Sequence, residues 1–348
     1  MKYAIVSGGT GGHIYPGIAI AEELIGDDPK AKIVFVGSGE GLEKDIIPRQ
    51  GFNIKIISAR ALQRKISYKA ISAPFVSIIG FFQSIFFLRS FAPNALISTG
   101  GYVSLPVVFA ALLLRIPVYI HEQNVLPGVT NRIYFKFAKK VFFSFEDSLK
   151  YFPAGVVVGN PVRKEILNAV RAKDKKRVVL IVGGSQGART INNTVIGSLP
   201  KINGDDLKLV HIIGKRDFKD LTKEIDLKEY PFYQPVSYLY NMSEVLASAD
   251  LVVSRAGATA IAEFLAKGLP MILVPFPFSA EGHQDLNADY ITKNGAGIKI
   301  NNADFGPETF LNILELEDKE LNKMRSFANL IAKPDAANKI INWIINNS

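Results

Sequence analysis

The sequence predicts an α/β protein made of two parallel-sheet domains in tandem. Three observations carry this: short β-branched runs that are apolar at nearly every position, helical stretches between those runs, and a glycine-rich turn after the first run of each half. A strand covered on both faces reads as a continuous apolar run rather than an alternating one, and parallel strands need a crossover between them. At 348 residues, 48% of them hydrophobic, the chain is long enough for two cores.

The first series of strands is expected at Tyr3–Ser7, Ile33–Val36, Ile54–Ile57, Ala95–Ser98, Val118–His121, Lys140–Ser144 and Val156–Val158. A second series starts with the run Arg177 to Gly184 and continues at Leu209–Ile213, Phe232–Pro235, Leu251–Ser254, Met271–Val274 and Gly297–Ile300. Between them, Gly159-Asn160-Pro161-Val162-Arg163 and the charged RAKDKKR have the composition of a linker. The halves therefore read as two Rossmann-like units, 1–162 and 163–333. A last helix over 334–348 carries Ile340, Ile341, the lone Trp343, Ile344 and Ile345.

The absence of cysteine excludes disulfides, thiolate nucleophiles and Cys-ligated zinc, so chemistry must come from His, acids, hydroxyls and backbone. A formal charge of +9 favours anionic partners without choosing among phosphates, acidic lipid and nucleic acid. Nucleic acid is disfavoured because the basic residues cluster beside an apolar segment rather than with stacking aromatics. The chain opens directly on a strand, with no basic segment leading into a long apolar one, and reads as cytoplasmic. The segment Ala70 to Phe87, AISAPFVSIIGFFQSIFF, approaches bilayer-spanning length but is diluted by Pro74, Gln83, serines and a glycine. It fits a helix on a sheet, a membrane-surface helix, or a span.

Glycine turns occur at Gly8–Gly12, at Thr99-Gly100-Gly101 and at Gly183-Gly184-Ser185-Gln186-Gly187, with SRAGATAIAE at 254–263 as a fourth. Such turns expose backbone N–H groups at the positive end of a helix, where a phosphate fits. One alone is as well explained by close packing; four at strand ends, shared between two domains, point to a cleft that holds a diphosphate. The dinucleotide fingerprint and the acid that should end the second strand are missing, which disfavours a nicotinamide dehydrogenase, and no Walker lysine follows either turn.

Amide-rich loops, IHEQNVLPGVTNR at 120–132 and FPFSAEGHQDLNADY at 276–290, suit recognition of sugar hydroxyls. His13, just past the first turn, is placed to take a proton from an attacking hydroxyl. No G-x-S-x-G elbow and no D-x-D after an apolar strand is present, so neither a serine hydrolase nor a metal bridging a nucleotide diphosphate is expected. His283 with Asp285 lacks a third ligand.

GGTGGHIYPGIAIAEEL, STGGYVSLP, HEQNVLPGVTNR, GNPVR, GGSQGARTIN, SRAGATAIAEFLAKGLPMILVPFP and GHQDLNA, in this order along the whole chain, resemble the MurG family of bacterial N-acetylglucosaminyltransferases. The resemblance implies a GT-B fold, two Rossmann-like domains facing across a cleft with the last helix crossing back to the first. It implies metal-independent, inverting transfer of N-acetylglucosamine from UDP-N-acetylglucosamine to the C4 hydroxyl of lipid I, giving lipid II, with no cofactor. It also implies donor contacts at Thr10, Gly11, Gly12, Asn124, Arg163, Ser185, Leu239, Ala258, Thr259, Glu263 and Gln284, acceptor contacts at Thr99, Gly100, Gly101 and Tyr102, and His13 as general base. Its implied partners are the anionic cytoplasmic face of the cell membrane and other cell-wall synthesis and division proteins. The apolar segment, flanked by Arg60, Arg64, Lys65, Lys69 and Arg89, resembles the patch by which the family sits on that membrane, though its Phe81, Phe82, Phe86 and Phe87 depart from the family's residues. Transfer to another lipid, sugar epimerisation and a non-catalytic scaffold are the alternatives.

Overall fold

A computed structural model describes residues 1–60, 68–171, 176–184, 187–223, 225–239 and 241–347. The chain divides into two compact units, Met1–Lys164 with Lys333–Ser348, and Glu165–Ala332.

In chain order the first unit contains β1 (Lys2–Val6), α1 (Gly11–Asp27), β2 (Lys32–Ser38), α2 (Glu43–Arg49), β3 (Asn53–Ile57), α3 (Tyr68–Phe91), β4 (Ala95–Ser98), α4 (Ser104–Leu113), β5 (Val118–Glu122), α5 (Val129–Tyr134), β6 (Lys140–Phe143) and β7 (Val156–Val157). The seven strands are parallel, in the order β3-β2-β1-β4-β5-β6-β7. Alternate residues of each strand feed different cores. Tyr3, Ile5, Phe35, Ile97, Tyr119 and Phe142 face one side, where α1 adds Ile14, Ile18 and Leu24. Ala4, Val6, Val36, Leu96, Ile120 and Phe143 face the other, where α4 adds Val107 and Ala111. This double coverage is why the strands read as unbroken apolar runs.

Between the sheets the chain forms α6 (Lys164–Asn168). The second unit follows with β8 (Arg177–Val182), α7 (Arg189–Ser198), β9 (Leu207–Ile212), α8 (Phe218–Thr222), β10 (Tyr233–Val236), α9 (Met242–Ser248), β11 (Leu251–Ser254), α10 (Ala258–Ala266), β12 (Met271–Leu273), α11 (His283–Lys293), β13 (Gly297–Lys299), α12 (Pro307–Leu314) and α13 (Asp318–Ile331). Its six parallel strands run β10-β9-β8-β11-β12-β13. Every strand expected from the sequence is present, displaced by no more than a residue or two. The architecture is that of two Rossmann-like α/β domains, the GT-B class.

The final helix, α14 (Ala336–Asn346), lies in the first unit, where it buries Ile340, Ile341 and Ile344 in the α1 core. Trp343 meets Tyr119 and Phe142 edge-on, at centroid separations of 5.8 and 5.9 Å. The apolar segment is α3, longer than its apolar run. Its buried residues Gly80, Ser84 and Leu88 recur every fourth position and form the face that packs on the unit. A methyl on Gly80 would collide with the Ser58 carbonyl oxygen, and Gln83 Oε1 accepts the Ser58 N–H at 2.7 Å. Phe75, Ile78, Ile79, Phe82 and Phe86 are exposed. The window Pro74–Phe91 has a mean hydropathy of 1.4 and is 17% buried, long and apolar enough to cross a membrane by length and composition. Its packed face shows instead a helix committed to the protein on one side. Arg64 and Lys65 lie outside the described residues.

Candidate functional site

In each sheet the strand order reverses at one point, between β1 and β4 in the first and between β8 and β11 in the second. Open α/β sheets bind ligands beyond the carboxyl ends of the strands at such a reversal. All four glycine turns singled out in the sequence leave these strands.

In the first unit, Thr10 is the N-cap of α1, Gly11 and Gly12 open it, and His13 sits on its first turn. Ser7 Oγ and Thr99 Oγ1 both donate to the His13 carbonyl, at 2.7 and 2.9 Å, and so fasten the helix start across the reversal. The His13 ring is half-buried, with Nδ1 2.8 Å from the Thr99 carbonyl oxygen and 3.2 Å from Gln123 Oε1. A carbonyl oxygen only accepts, so Nδ1 carries the proton and the neutral ring has its lone pair on Nε2. Nε2 bonds to no described residue.

Gly100 runs against this ring, where a Cβ would lie 3.1 Å from Nδ1, and Gly101 runs against the Gly8 backbone. Tyr102 OH meets Ser38 Oγ at 2.5 Å, and Ser38 Oγ in turn donates to Glu43 Oε1 at 2.7 Å. Burial raises the Tyr102 pKa, opposed by this hydrogen bond. Glu43 is fully buried and also accepts the Gly9 N–H at 3.0 Å and the Ser38 N–H at 2.9 Å. It is thus the acid of the β2 end, displaced onto α2 and tying the glycine turn to Tyr102. Sequence reasoning missed it; the signal was the acid just beyond the GSGEG turn.

Glu122, buried at the end of β5, does the same for the amide-rich loop. Its oxygens accept from the Asn124 N–H (2.9 Å), the Gly128 N–H (2.9 Å) and Asn131 Nδ2 (2.8 Å). This holds Asn124 at the β5 end, beside Gln123. Arg163 belongs to the first unit, where its guanidinium lies 4.2 Å over the Tyr15 ring of α1.

In the second unit, Gly257 caps α10, Ala258 and Thr259 begin it, and Glu263 is one turn beyond Thr259 on the same face, buried. Gln284 is on α11, and its Oε1 accepts the Phe276 N–H at 2.9 Å. Asn287 on α11 donates to the Ala256 carbonyl at 3.1 Å, tying α11 to the turn that starts α10. Arg255 braces the neighbouring strand ends by donating to the carbonyls of Val274 and Pro275, each at 3.0 Å, and to Asn302 Oδ1 at 2.8 Å. Burial pushes its guanidinium down to about 10. Leu239 is half-buried just after β10. Ser185 lies outside the described residues. His283 and Asp285 do not converge: His283 Nδ1 bonds the Ala280 carbonyl at 2.7 Å, and Asp285 pairs with Lys299 at 3.1 Å.

The sequence matches the N-terminal domain of glycosyltransferase family 28 over residues 3–143 and the C-terminal domain of that family over residues 178–340. A protein of Desulforamulus reducens named UDP-N-acetylglucosamine--N-acetylmuramyl-(pentapeptide) pyrophosphoryl-undecaprenol N-acetylglucosamine transferase is 39% identical, over 99% of this chain and 98% of its own length. Its namesake in Clostridioides difficile is 40% identical, over 99% of this chain and 88% of its own. Among solved structures, Acinetobacter baumannii MurG superposes with a TM-score of 0.79 at 27% identity, with 99% of each chain covered.

Proposed function

The chain belongs to glycosyltransferase family 28, among its MurG transferases, and we propose that it moves N-acetylglucosamine from UDP-N-acetylglucosamine to undecaprenyl-diphospho-N-acetylmuramoyl-pentapeptide, lipid I. The product is lipid II, the disaccharide precursor of peptidoglycan. The observation that carries the reaction is the setting of His13, whose protonated Nδ1 is held by Thr99 and whose Nε2 lone pair is left for substrate.

His13 Nε2 takes the proton of the acceptor C4 hydroxyl as that oxygen attacks the anomeric carbon of the donor sugar. The bond from that carbon to the diphosphate oxygen breaks, UDP leaves with the bonding pair, and the anomeric centre inverts. Charge growing on the diphosphate is met by the N–H groups opening α10, at Ala258 and Thr259, and by Ser185, with Arg163 also part of the donor site. Thr10, Gly11 and Gly12 lie near the donor's sugar and diphosphate. Glu263 accepts from the ribose hydroxyls, Leu239 offers backbone to the uracil, and Asn124 and Gln284 bind the sugar. The acceptor lies along Thr99, Gly100, Gly101 and Tyr102.

The test is UDP release from UDP-N-acetylglucosamine and a soluble lipid I analogue, in EDTA, for the wild type and His13→Ala together. Acceptor-dependent release in the wild type, with a loss on the order of a hundredfold or more in the variant, is expected for a general base. No acceptor-dependent release from the wild type overturns the transferase reading, and equal rates move the base elsewhere.

We place the enzyme on the cytoplasmic membrane face through the exposed side of α3. The support is the row Phe75, Ile78, Ile79, Phe82 and Phe86 with Arg89 beside it. Each buried phenylalanine contributes roughly 1.5–3 kcal/mol. Phe82→Ser with Phe86→Ser should therefore abolish flotation with phosphatidylglycerol vesicles while leaving turnover of the soluble analogue intact. Undiminished flotation removes α3 from the contact.

A further inference from the structure

The ring of His13 is the end of a hydrogen-bond chain whose direction can be read atom by atom. The chain starts at the Gly159 carbonyl, 2.9 Å from His121 Nε2. That oxygen only accepts, so His121 Nε2 donates. Burial pushes His121 down to about 4, so the ring is neutral and its Nδ1 is an acceptor. Gln123 Nε2 lies 3.2 Å from this Nδ1 and 2.9 Å from the Thr99 carbonyl. Both are acceptors, which fixes the carboxamide with its NH2 on that side and Oε1 towards His13. Oε1 is 3.2 Å from His13 Nδ1, which the Thr99 carbonyl also holds.

The local fold explains why these groups line up. His121 and Gln123 are two residues apart at the end of β5 and so project to one side, while Glu122 projects to the other and ties down the loop. His121 is 0% exposed and Gln123 2%, so no solvent competes for these bonds. Among the described residues no carboxylate bonds to the His13 ring, and its orientation is set by neutral acceptors alone.

We propose that Gln123, oriented by His121, is a positioning residue that holds His13 in its Nδ1–H tautomer and so presents the Nε2 lone pair to the acceptor hydroxyl. This rests on the reading of His13 as the base. Gln123 acts twice: its Oε1 accepts from the ring, and its Nε2 holds the Thr99 carbonyl that is the ring's other acceptor. His121 acts at one remove, because without its Nδ1 the carboxamide loses one of the three acceptors that stop it turning over, the others being the Thr99 carbonyl and, at 3.3 Å, the carbonyl of His121 itself.

The measurement is the tautomer of His13, read from long-range nitrogen–proton spectra of 15N-labelled protein and assigned with His13→Ala. It is taken with kcat and KM for the wild type, Gln123→Met and His121→Phe, and with UDP-N-acetylglucosamine affinity as the control for folding. The wild type should show Nδ1 protonated and Nε2 bare. Gln123→Met should shift population towards the Nε2–H form and lower kcat on the order of ten- to a hundredfold, with KM and donor affinity unchanged, since a mis-set base removes only part of a general base's contribution. His121→Phe should move both in the same direction by less.

An Nε2–H tautomer in the wild type overturns the proposal. So does a Gln123→Met variant that keeps either the tautomer or kcat while His13→Ala is inactive. If His13→Ala instead turns over like the wild type, the base reading itself has failed, a result distinct from failure of the positioning role.

Discussion

In the first unit the glycines between strand and helix are packed against protein; in the second they divide, Gly183 and Gly187 lying against the backbone of Ala188 and Ile213 while Gly184 and Gly257 stand open. A Cβ on Gly8 would lie 2.6 Å from Val103 Cγ1, and one on Gly101 would collide with the Gly8 carbonyl oxygen. A Cβ on Gly184 or Gly257 would meet no described atom within 4 Å. The histidine networks differ in the opposite sense. Among the described residues His13 keeps Nε2 without a partner, whereas His211 on β9 is closed on both sides, Nε2 against Asn192 Oδ1 at 3.0 Å and Nδ1 against Tyr233 OH at 2.9 Å. Two sheets of the same kind thus divide the work, one positioning a reactive group on a crowded scaffold, the other offering bare backbone at Gly184 and Gly257 over a closed core.

The largest effect on stability is expected where backbone crowding and a left-handed φ coincide. Gly101 has φ +89° and the Gly8 carbonyl against it. Gly101→Ala therefore combines backbone strain with overpacking and should cost about 3 kcal/mol or more, read by urea denaturation. A variant as stable as the wild type would show that this turn is not held by packing.

His211→Leu comes next. It leaves Asn192 Oδ1 and Tyr233 OH buried without their partner, at about 1–3 kcal/mol for each group. The loss should appear in stability, with kcat of the folded fraction unchanged. A fall in kcat comparable to that of His13→Ala would erase the contrast between the two histidines.

Much of this was legible in the sequence, for reasons that can be stated. The strands were visible because both faces of each sheet are covered, so that Tyr3 and Ile5 are as apolar as Ala4 and Val6. The turns were visible because glycine has few other uses after a strand. Whether a given glycine serves packing or a ligand was not, because the answer lies in its neighbours: Val103 and the Gly8 carbonyl come from elsewhere in the chain. Glu43 was hidden for the same reason, since the N–H it holds belongs to Gly9, 34 residues away. Gln123 stood in a quoted motif, yet its role depends on Thr99 and on the carbonyl of Gly159 reaching His121.

Acid titration gives a smaller, graded effect. Burial holds both His211 and His121 neutral in the folded chain, pushed down to about 3 and about 4, while an unfolded imidazole protonates near pH 6.5. Above that pH neither state binds the proton and stability is level. Below it the unfolded chain binds more protons, so stability falls as pH drops towards the folded values, by up to about 1.4 kcal/mol per pH unit for each histidine. His211→Leu should remove one of the two contributions between pH 6 and pH 4. An unchanged acid slope would mean that His211 is protonated in the fold, and the closed network would have to be redrawn.

The smallest stability effect is the most telling for the open side. Gly257 has φ −72° and ψ 129°, a conformation alanine adopts freely, and space where the methyl would go. The helix-capping preference for glycine over alanine is offset by the lower entropy of the unfolded chain, so Gly257→Ala should change stability by less than about 0.5 kcal/mol. If the α10 N-terminus holds the donor diphosphate, that methyl occupies space a phosphate oxygen needs, and UDP-N-acetylglucosamine affinity should drop about tenfold or more by calorimetry. Affinity retained at unchanged stability would mean that the open glycine faces solvent rather than substrate, and that the diphosphate contacts must come from other groups, such as Ser185 and Arg163.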